Sequence, residues 1–386
     1  KRIESEEAKL IQGKKEGPRC GIPNIGLIFP VLYNENIEWL DLYTKKEWYR
    51  AAMGLVIVVM LVCASIFVNG WTDSPNAIAT VISTRVLRPR AAVVLGAVFN
   101  FLGVLIMGTA VATTTASIVD IGTGTDALVT LGAAQLSIVL WAVAAWRYGI
   151  PTSESHALIA GLMGAGISLN GISALNWQSI KSVVIGLVIS PAAGFILGFF
   201  FTRLIEMICR NINRRKTEKF FSAGQVLSAS LMAFSHGAQD GQKFMGIFYL
   251  ALVVGGVYTM ESGGTLEIPL WIMLVCSVLM ALGTSVGGYR IIKAMGIDMV
   301  KLEKYQGFAA EIAASGSMLA STLWGIPLST TNVKATAMMG AGATKGVGAV
   351  NWSIAKDMVI AWVLTFPVCL ILGYVFATVF RFLFSL

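Results

Sequence analysis

Long stretches without a charged residue dominate the sequence from Ala51 onward. Residues 1–50 hold 17 of the 50 Asp, Glu, Lys and Arg residues, which leaves 33 for the other 336 positions. A helix needs about 20 apolar residues to cross the hydrocarbon core of a bilayer. Seven uncharged windows approach or exceed that length: 51–68, 91–119, 127–146, 182–202, 220–239, 268–289 and 358–380. Such a chain is expected to fold inside a membrane.

The composition supports the same class of protein. Hydrophobic residues make up 56% of the chain and charged residues 13%, with a mean hydropathy of +0.73, whereas soluble domains carry about 25% charged residues. An ordinary cytosolic enzyme is therefore excluded. Because every segment in a bilayer must satisfy its own backbone hydrogen bonds, we predict an all-α polytopic protein of the plasma or inner membrane. Its segments should number ten to twelve helices or half-helices.

The polar parts of the chain lie mainly outside these windows. The net charge is +8, but the basic residues gather in short loops, which is typical of the cytoplasmic side of membrane proteins and not of nucleic-acid binding. The strongest such loop, 203–219, is predicted to be cytoplasmic. Residues 1–50 lack a signal-peptide pattern and are expected to form a cytosolic or interfacial tail. The five cysteines lie far apart, so we expect neither disulfides nor a zinc site.

An internal repeat organises the hydrophobic part of the chain. Residues 148–168 read YGIPTSESHALIAGLMGAGIS, and residues 324–344 read WGIPLSTTNVKATAMMGAGAT, at an offset of 176. Further upstream, NGWTD at 69–73 matches HGAQD at 236–240 in position, since each follows an apolar run with a Gly break and an Asp. We predict two repeats, 51–206 and 220–386, joined by a basic linker at 207–219. Interrupted hydrophobic segments at matching positions indicate a secondary transporter whose site lies near the bilayer midplane, at the interface of the repeats.

Each copy of the first motif places hydroxyl residues directly after a proline. Pro is favoured at a helix start and Ser or Thr caps the exposed amides, so both clusters are expected at helix N-termini, where anions bind. The candidate anion ligands are Ser153 and Ser155 in one repeat and Ser329, Thr330 and Thr331 in the other. The alternative is that these hydroxyls only cap helices or pack at helix crossings.

Asp73 and Asp240 stand at membrane depth, where an unpaired charge is costly. They need a cation, a proton or a basic neighbour. Together with Asn69 and Asn76 they are candidates to bind Na⁺ or exchange H⁺; the alternative for Asp240 is an ion pair with Lys243, three residues further on.

The remaining titratable residues of the motifs are candidates for charge compensation or a proton relay. Both histidines of the chain, His156 and His236, belong to this group, because the pKa of histidine lies near neutrality; each is equally well read as a hydrogen-bonded core residue. Glu154 would repel an anion unless it is neutralised. We therefore predict an ion pair between Glu154 and Lys334.

The motifs resemble those of the inorganic phosphate transporter (Pit) family over nearly all of residues 51–386. They are NGWTDSPNAIAT at 69–80, FNFLG at 99–103, FSHGAQDGQK at 234–243, and the pair GIPTSESH and GIPLSTTN. The resemblance implies a cation-coupled phosphate symporter with inverted repeats and re-entrant hairpins, often dimeric. It assigns Asp73, Asn76, Asp240 and the hairpin hydroxyls to the phosphate and cation sites.

Departures from the family pattern concern the coupling ion. Asn100 replaces the Glu of sodium-coupled members, whereas Glu311 retains an acidic residue in the second repeat; both are candidates for the cation site. Gln239, Glu154 and Asn332 stand where the family usually has Asn, Ser and His. The resemblance therefore leaves Na⁺ and H⁺ open as coupling ions.

The predicted function is import of inorganic phosphate by cation symport through alternating access, with no cofactor. Sulfate is the alternative substrate, carried by some relatives, and arsenate or a metal-phosphate complex is also compatible with the site. A membrane hydrolase using Ser153 or Ser155 with His156 is disfavoured, because catalysis needs one asymmetric constellation and this chain duplicates the hydroxyl cluster. Paired intramembrane Asp residues argue against an uncoupled anion channel.

Overall fold

The computed structural model describes residues 38–259 and 266–383, which form fourteen α-helices and no β-strand. The first seven helices are α1 (Glu38–Thr72), α2 (Pro75–Ser83), α3 (Pro89–Ile106), α4 (Ala110–Ala116), α5 (Thr125–Tyr148), α6 (Glu154–Asn170) and α7 (Trp177–Cys209). The others are α8 (Arg214–His236), α9 (Gln242–Val254), α10 (Leu270–Val286), α11 (Tyr289–Lys293), α12 (Lys304–Leu323), α13 (Thr330–Ala343) and α14 (Trp352–Leu383). Of the expected tail at 1–50, residues 1–37 lie outside the described residues.

Six helical segments within the described ranges are long and apolar enough to cross a membrane, and a pair bent by 64°, α10 with the segment Tyr289–Met299, makes a seventh. The six are Ala52–Ser83, Pro89–Ile106, Thr125–Tyr148, Glu154–Ala174, Trp177–Cys209 and Trp352–Leu383. The remaining helices are shorter or more polar, and α13 is buried from Thr330 to Gly342. The predicted all-α multi-pass membrane architecture is confirmed.

Two helical hairpins, α5 with α6 and α12 with α13, share the same local structure. Gly149 and Gly325 have φ angles of 70° and 66°, a left-handed conformation that favours glycine, and each follows the first helix of its hairpin. Ser153 accepts a hydrogen bond from the backbone N–H of His156, and Ser329 accepts one from Asn332, both at 3.2 Å. The structure thereby confirms the helix N-termini predicted at both hydroxyl clusters.

The second helix of each hairpin packs against the last long helix of the other half of the chain. Helix α6 lies along α14, and α13 lies along α7. Glycines let the backbones approach closely: Gly164 faces the carbonyl of Leu370, and Gly340 faces that of Phe195. Small residues at helix crossings are the usual means of close packing in membranes. Each half of the chain thus packs the second helix of its hairpin against the other half.

Replacing Gly340 by Ala is expected to lower the thermal stability of the purified protein. The added methyl group would overlap the carbonyl oxygen of Phe195, and overpacking of this kind costs about 1–3 kcal/mol. Gly316→Ala is the matched control, because that position in α12 has open space around it and alanine favours a helix by about 1 kcal/mol. Equal melting temperatures for the two variants in detergent would contradict the tight crossing.

Interrupted helices carry the two Asp residues to the middle of the bundle. Gly70 of α1 crosses α10 at Gly283, and Gly237 crosses α3 at Asn100. Beyond these crossings α1 breaks before α2, and α8 passes into α9 through a π-helical turn, Gly237–Gly241. Such irregular turns inside helices are frequent at functional sites. Asp73 and Asp240 lie at these two interruptions.

Candidate functional site

The N-termini of α6 and α13 meet at the centre of the molecule. The hydroxyl of Ser329 donates to that of Ser153 at 2.8 Å, and both side chains are buried. These two serines are the N-caps of their helices and are 176 residues apart, which is the offset of the sequence repeat. Unpaired N–H groups and the positive ends of two helix dipoles therefore point to the same place.

Asp73 lies beside this junction and is 2% exposed. Its carboxylate accepts hydrogen bonds from Asn76 Nδ2 at 2.5 Å and from the hydroxyls of Thr331 and, at 3.3 Å, Thr330. Asn76 Nδ2 also donates to Thr331 Oγ1 at 3.0 Å. The first-half Asp is thus joined directly to the hydroxyl cluster of the second half.

Asp240 occupies the corresponding position on the opposite side. It accepts from Lys243 Nζ at 2.6 Å, from Thr330 Oγ1 at 3.0 Å and from Asn69 Nδ2 at 3.3 Å. Lys243 in turn donates to Ser155 Oγ at 2.6 Å. The alternative stated for Asp240, an ion pair with Lys243, is what the structure shows. Thr330 lies between the two carboxylates, since its single hydroxyl is within hydrogen-bond distance of both.

Glu154 and Lys334 do not pair, and that prediction was wrong. Glu154 accepts a hydrogen bond from Thr72, whereas Lys334 Nζ lies 3.7 Å from Glu311 and donates to Thr80 at 3.1 Å. The reason is the hairpin: α12 is the immediate neighbour of α13, so Glu311 reaches Lys334, while Glu154 stays at the tip of the other hairpin.

The proposed cation residues fall into separate groups. Asn69, Asp73 and Asp240 lie at the centre, while Asn100 is linked to it through His236, whose Nδ1 is 3.0 Å from Asn100 Oδ1. Glu311 is fully buried in a second polar cluster, where it accepts from the hydroxyls of Thr80 and Ser228. The structure therefore does not bring Glu311 into direct contact with either Asp.

The two histidines have different surroundings. His236 Nε2 is 3.4 Å from Asp240 Oδ2, so this ring belongs to the central cluster. His156 Nδ1 lies 3.2 Å from the carbonyl of Trp362 on α14. Ser155 Oγ donates to the carbonyl of Leu328 at 3.1 Å and so does not pair with His156, whereas His236 Nδ1 lies 3.5 Å from the hydroxyl of Ser74.

Two amide side chains that contact the carboxylates, Asn76 at Asp73 and Asn69 at Asp240, have oxygen atoms without a hydrogen-bond partner among the described residues. Both oxygen atoms, Asn69 Oδ1 and Asn76 Oδ1, are buried. Ligand atoms of Asp73, His236 and Asp240 lie within 4.8 Å of one another, but the Lys243 ammonium already contacts Asp240 and would repel a divalent ion. The arrangement around Asp73 suits a hard monovalent cation, which binds through oxygen.

Sequence reasoning missed several hydroxyls that the site uses. Thr72 and Ser74 flank Asp73, and they contact Glu154 and Asn100 respectively. Thr80 and Ser228, on α2 and α8, are the hydroxyl partners of Glu311. Thr72, Ser74 and Thr80 are part of the motif at 69–80. The motif could therefore have marked them as candidates, but their partners lie far away in the sequence.

Together these features define a multi-pass helical membrane protein with a buried polar centre at two helix breaks and two helix N-termini. The sequence profile of the Phosphate transporter family matches residues 69–373. The chain belongs to this family.

Two similar proteins carry names that describe phosphate transport. A Bacillus subtilis protein named "Probable low-affinity inorganic phosphate transporter" is 37% identical over 82% of this chain and 94% of its own length. A Rhizobium meliloti protein of the same name is 38% identical with the same coverage. Both are named as transporters and not as enzymes. A solved structure described as "The sodium-dependent phosphate transporter" shares the fold, with a TM-score of 0.79, 22% identity, and coverage of 86% of this chain and 99% of that one.

Proposed function

We propose that the protein carries inorganic phosphate across the cell membrane by symport with a cation. The observation that supports this most directly is the meeting of two helix N-termini at Ser153 and Ser329. Neutral hydroxyls and backbone N–H groups bind a tetrahedral oxyanion there without an arginine. Such ligands release their cargo more readily than a fixed guanidinium would, which a carrier requires.

The carboxylates favour phosphate over sulfate. Asp73 and Asp240 accept hydrogen bonds from the hydroxyls of Thr331 and Thr330 at the junction, so they are next to the bound anion. Phosphate near neutral pH carries protons that it can donate to a carboxylate, whereas sulfate carries none, and a buried acceptor left without a donor is costly. Arsenate is protonated like phosphate and should compete with it.

The coupling cation is assigned to the oxygen atoms around Asp73. Na⁺ or H⁺ neutralises this carboxylate and makes binding of the anion favourable, so that each ligand strengthens the binding of the other. Two repeats, 51–206 and 220–386, joined by 207–219, then rock around the loaded site. The matching N-caps, glycine crossings and hairpins of the two halves support this division.

Uptake of labelled phosphate into proteoliposomes tests the substrate. The protein should accumulate phosphate, excess arsenate should suppress the uptake, and the same concentration of sulfate should leave it nearly unchanged. Equal competition by sulfate and arsenate would show that the carboxylates do not select a protonated anion. Absence of phosphate uptake by folded protein would contradict the proposed function.

A further inference from the structure

The Lys243 ammonium occupies a fully surrounded position in the second half of the site. Its Nζ donates to Asp240 Oδ1 at 2.6 Å, to Ser155 Oγ at 2.6 Å and to the carbonyl of Leu328 at 2.5 Å. An ammonium group has three N–H donors, and all three are in use. Lys243 is 1% exposed. It therefore has no donor left for phosphate. Its positive charge neutralises Asp240 and lies against the carbonyl of Leu328, just before α13.

The first half contains the same arrangement with an asparagine in place of the lysine. Asn76 follows Asp73 by three residues, as Lys243 follows Asp240. Asn76 contacts Asp73 and Thr331, and Lys243 contacts Asp240 and Ser155. Thr331 and Ser155 are themselves 176 residues apart, at the repeat offset. Each position is thus built from one Asp and one hydroxyl of the opposite hairpin.

The atoms available to a cation differ between these two positions. At the first position, Asn76 contacts Asp73 and its Oδ1 is buried without a hydrogen-bond partner among the described residues. Asn69 Oδ1 is also unpartnered there, although its Nδ2 donates to Asp240. In the second half, His236 stands at the position of Asn69, four residues before the Asp, and Lys243 at that of Asn76. Hard cations bind through oxygen and not through an ammonium or an imidazole of this kind. The first position is therefore the one suited to such an ion, because the Lys243 ammonium already fills the second.

We propose that Lys243 is a resident cation, which fills the second of two matching cation positions so that only the first, around Asp73, exchanges a coupling ion. This inference rests on the proposed cation coupling. It assigns fewer coupling cations per phosphate to this chain than to one with asparagine at both positions. The lysine keeps Asp240 neutralised in every state of the transport cycle, and Asp73 alone senses the cation gradient.

The direct test restores the first-half residues in the second half. The double variant His236→Asn with Lys243→Asn reproduces the Asn–Asp–Asn set of residues 69–76 around Asp240. In proteoliposomes held at defined membrane potentials, the number of positive charges moved per phosphate should rise by one relative to the unmodified protein. This readout applies whether the coupling ion is Na⁺ or H⁺. An unchanged ratio in a variant that still transports would overturn the inference.

A methionine variant separates the loss of charge from the gain of a cation position. Lys243→Met removes the ammonium without adding an oxygen ligand, so uptake should fall to background and extra Na⁺ should not restore it. Full uptake at the unmodified charge ratio in Lys243→Met would show that Asp240 needs no cation there, and would overturn the proposal. Size-exclusion chromatography in detergent confirms that each variant is folded.

A substitution in the first half tests the same inference if the variants at His236 and Lys243 do not fold. Asn76→Lys places an ammonium in the exchanging position, so phosphate binding by the purified protein should no longer strengthen with the coupling cation, and accumulation against a gradient should cease. Binding that still strengthens with the cation, as in the unmodified protein, would contradict the assignment. The unmodified protein tests the proposed function separately, because that function is contradicted if the unmodified protein moves no phosphate. The role of Lys243 is contradicted only if the variants differ from the unmodified protein in another way than stated.

Discussion

Asp73→Asn is expected to reduce phosphate uptake to background while leaving the protein folded. The amide has nearly the same shape as the carboxylate but no charge for a cation to neutralise. Its oxygen can keep the hydrogen bond that Asn76 Nδ2 donates to Asp73 in the structure, so the fold is retained while the charge is lost. Asp240→Asn should abolish uptake as well, but with a second effect: it leaves the Lys243 ammonium buried without its carboxylate. Breaking a buried pair costs about 3–5 kcal/mol, so this variant should also melt at a lower temperature.

Initial uptake rates and melting temperatures together check this pair of variants. Asp357→Asn on the exposed side of α14 is the matched control, and it should transport and melt like the unmodified protein. Adding Lys243→Met to Asp240→Asn should recover part of the lost stability without recovering transport. Unimpaired uptake in Asp73→Asn would remove this residue from the site.

Lys334→Met is expected to destabilise the protein by about 3–5 kcal/mol, because it leaves Glu311 as a buried carboxylate without a cation. Both residues are 0% exposed and lie 3.7 Å apart. The hydroxyls of Thr80 and Ser228 remain as donors, but they carry no charge. The expected result is a clearly lower melting temperature in detergent.

Two further variants control this result. Glu311→Gln combined with Lys334→Met removes both charges and keeps an acceptor for the hydroxyls, so most of the stability should return. Lys345→Met breaks an exposed ion pair with Glu303 at 2.7 Å, and such pairs contribute about 0–1 kcal/mol. A double variant as unstable as Lys334→Met, or a single variant as stable as Lys345→Met, would contradict the buried pair.

Local features of the fold could be predicted because they depend on neighbouring residues. Pro151 and Pro327, each followed by a serine two positions later, indicated the starts of α6 and α13, and the structure has Ser153 and Ser329 as their N-caps. The packing of each hairpin on the opposite half could not be predicted in the same way. It depends on contacts such as Gly164 with Leu370, between residues far apart in the chain.

The site shows the same division. The repeat directed attention to residues that the structure brings together: Asp73 and Asp240 contact the hydroxyls of the second hairpin. Lys243 joins Asp240 to Ser155 of the first hairpin. The partner of Lys334 was wrong because sequence symmetry suggested a pair across the two hairpins, whereas the pair forms within one hairpin. His156 was grouped with the site by its motif, yet its ring contacts the backbone of α14. Motifs identify candidate residues, but side-chain direction decides their partners.

Phosphate accumulation under imposed cation gradients tests the central claim most directly. Proteoliposomes containing the purified protein are loaded so that the Na⁺ gradient and the pH gradient can be set separately, with equal labelled phosphate on both sides. The account predicts net accumulation when one of these gradients is directed inward, and loss of accumulation when an ionophore dissipates it. Phosphate that stays evenly distributed across the membrane under both gradients would contradict the account.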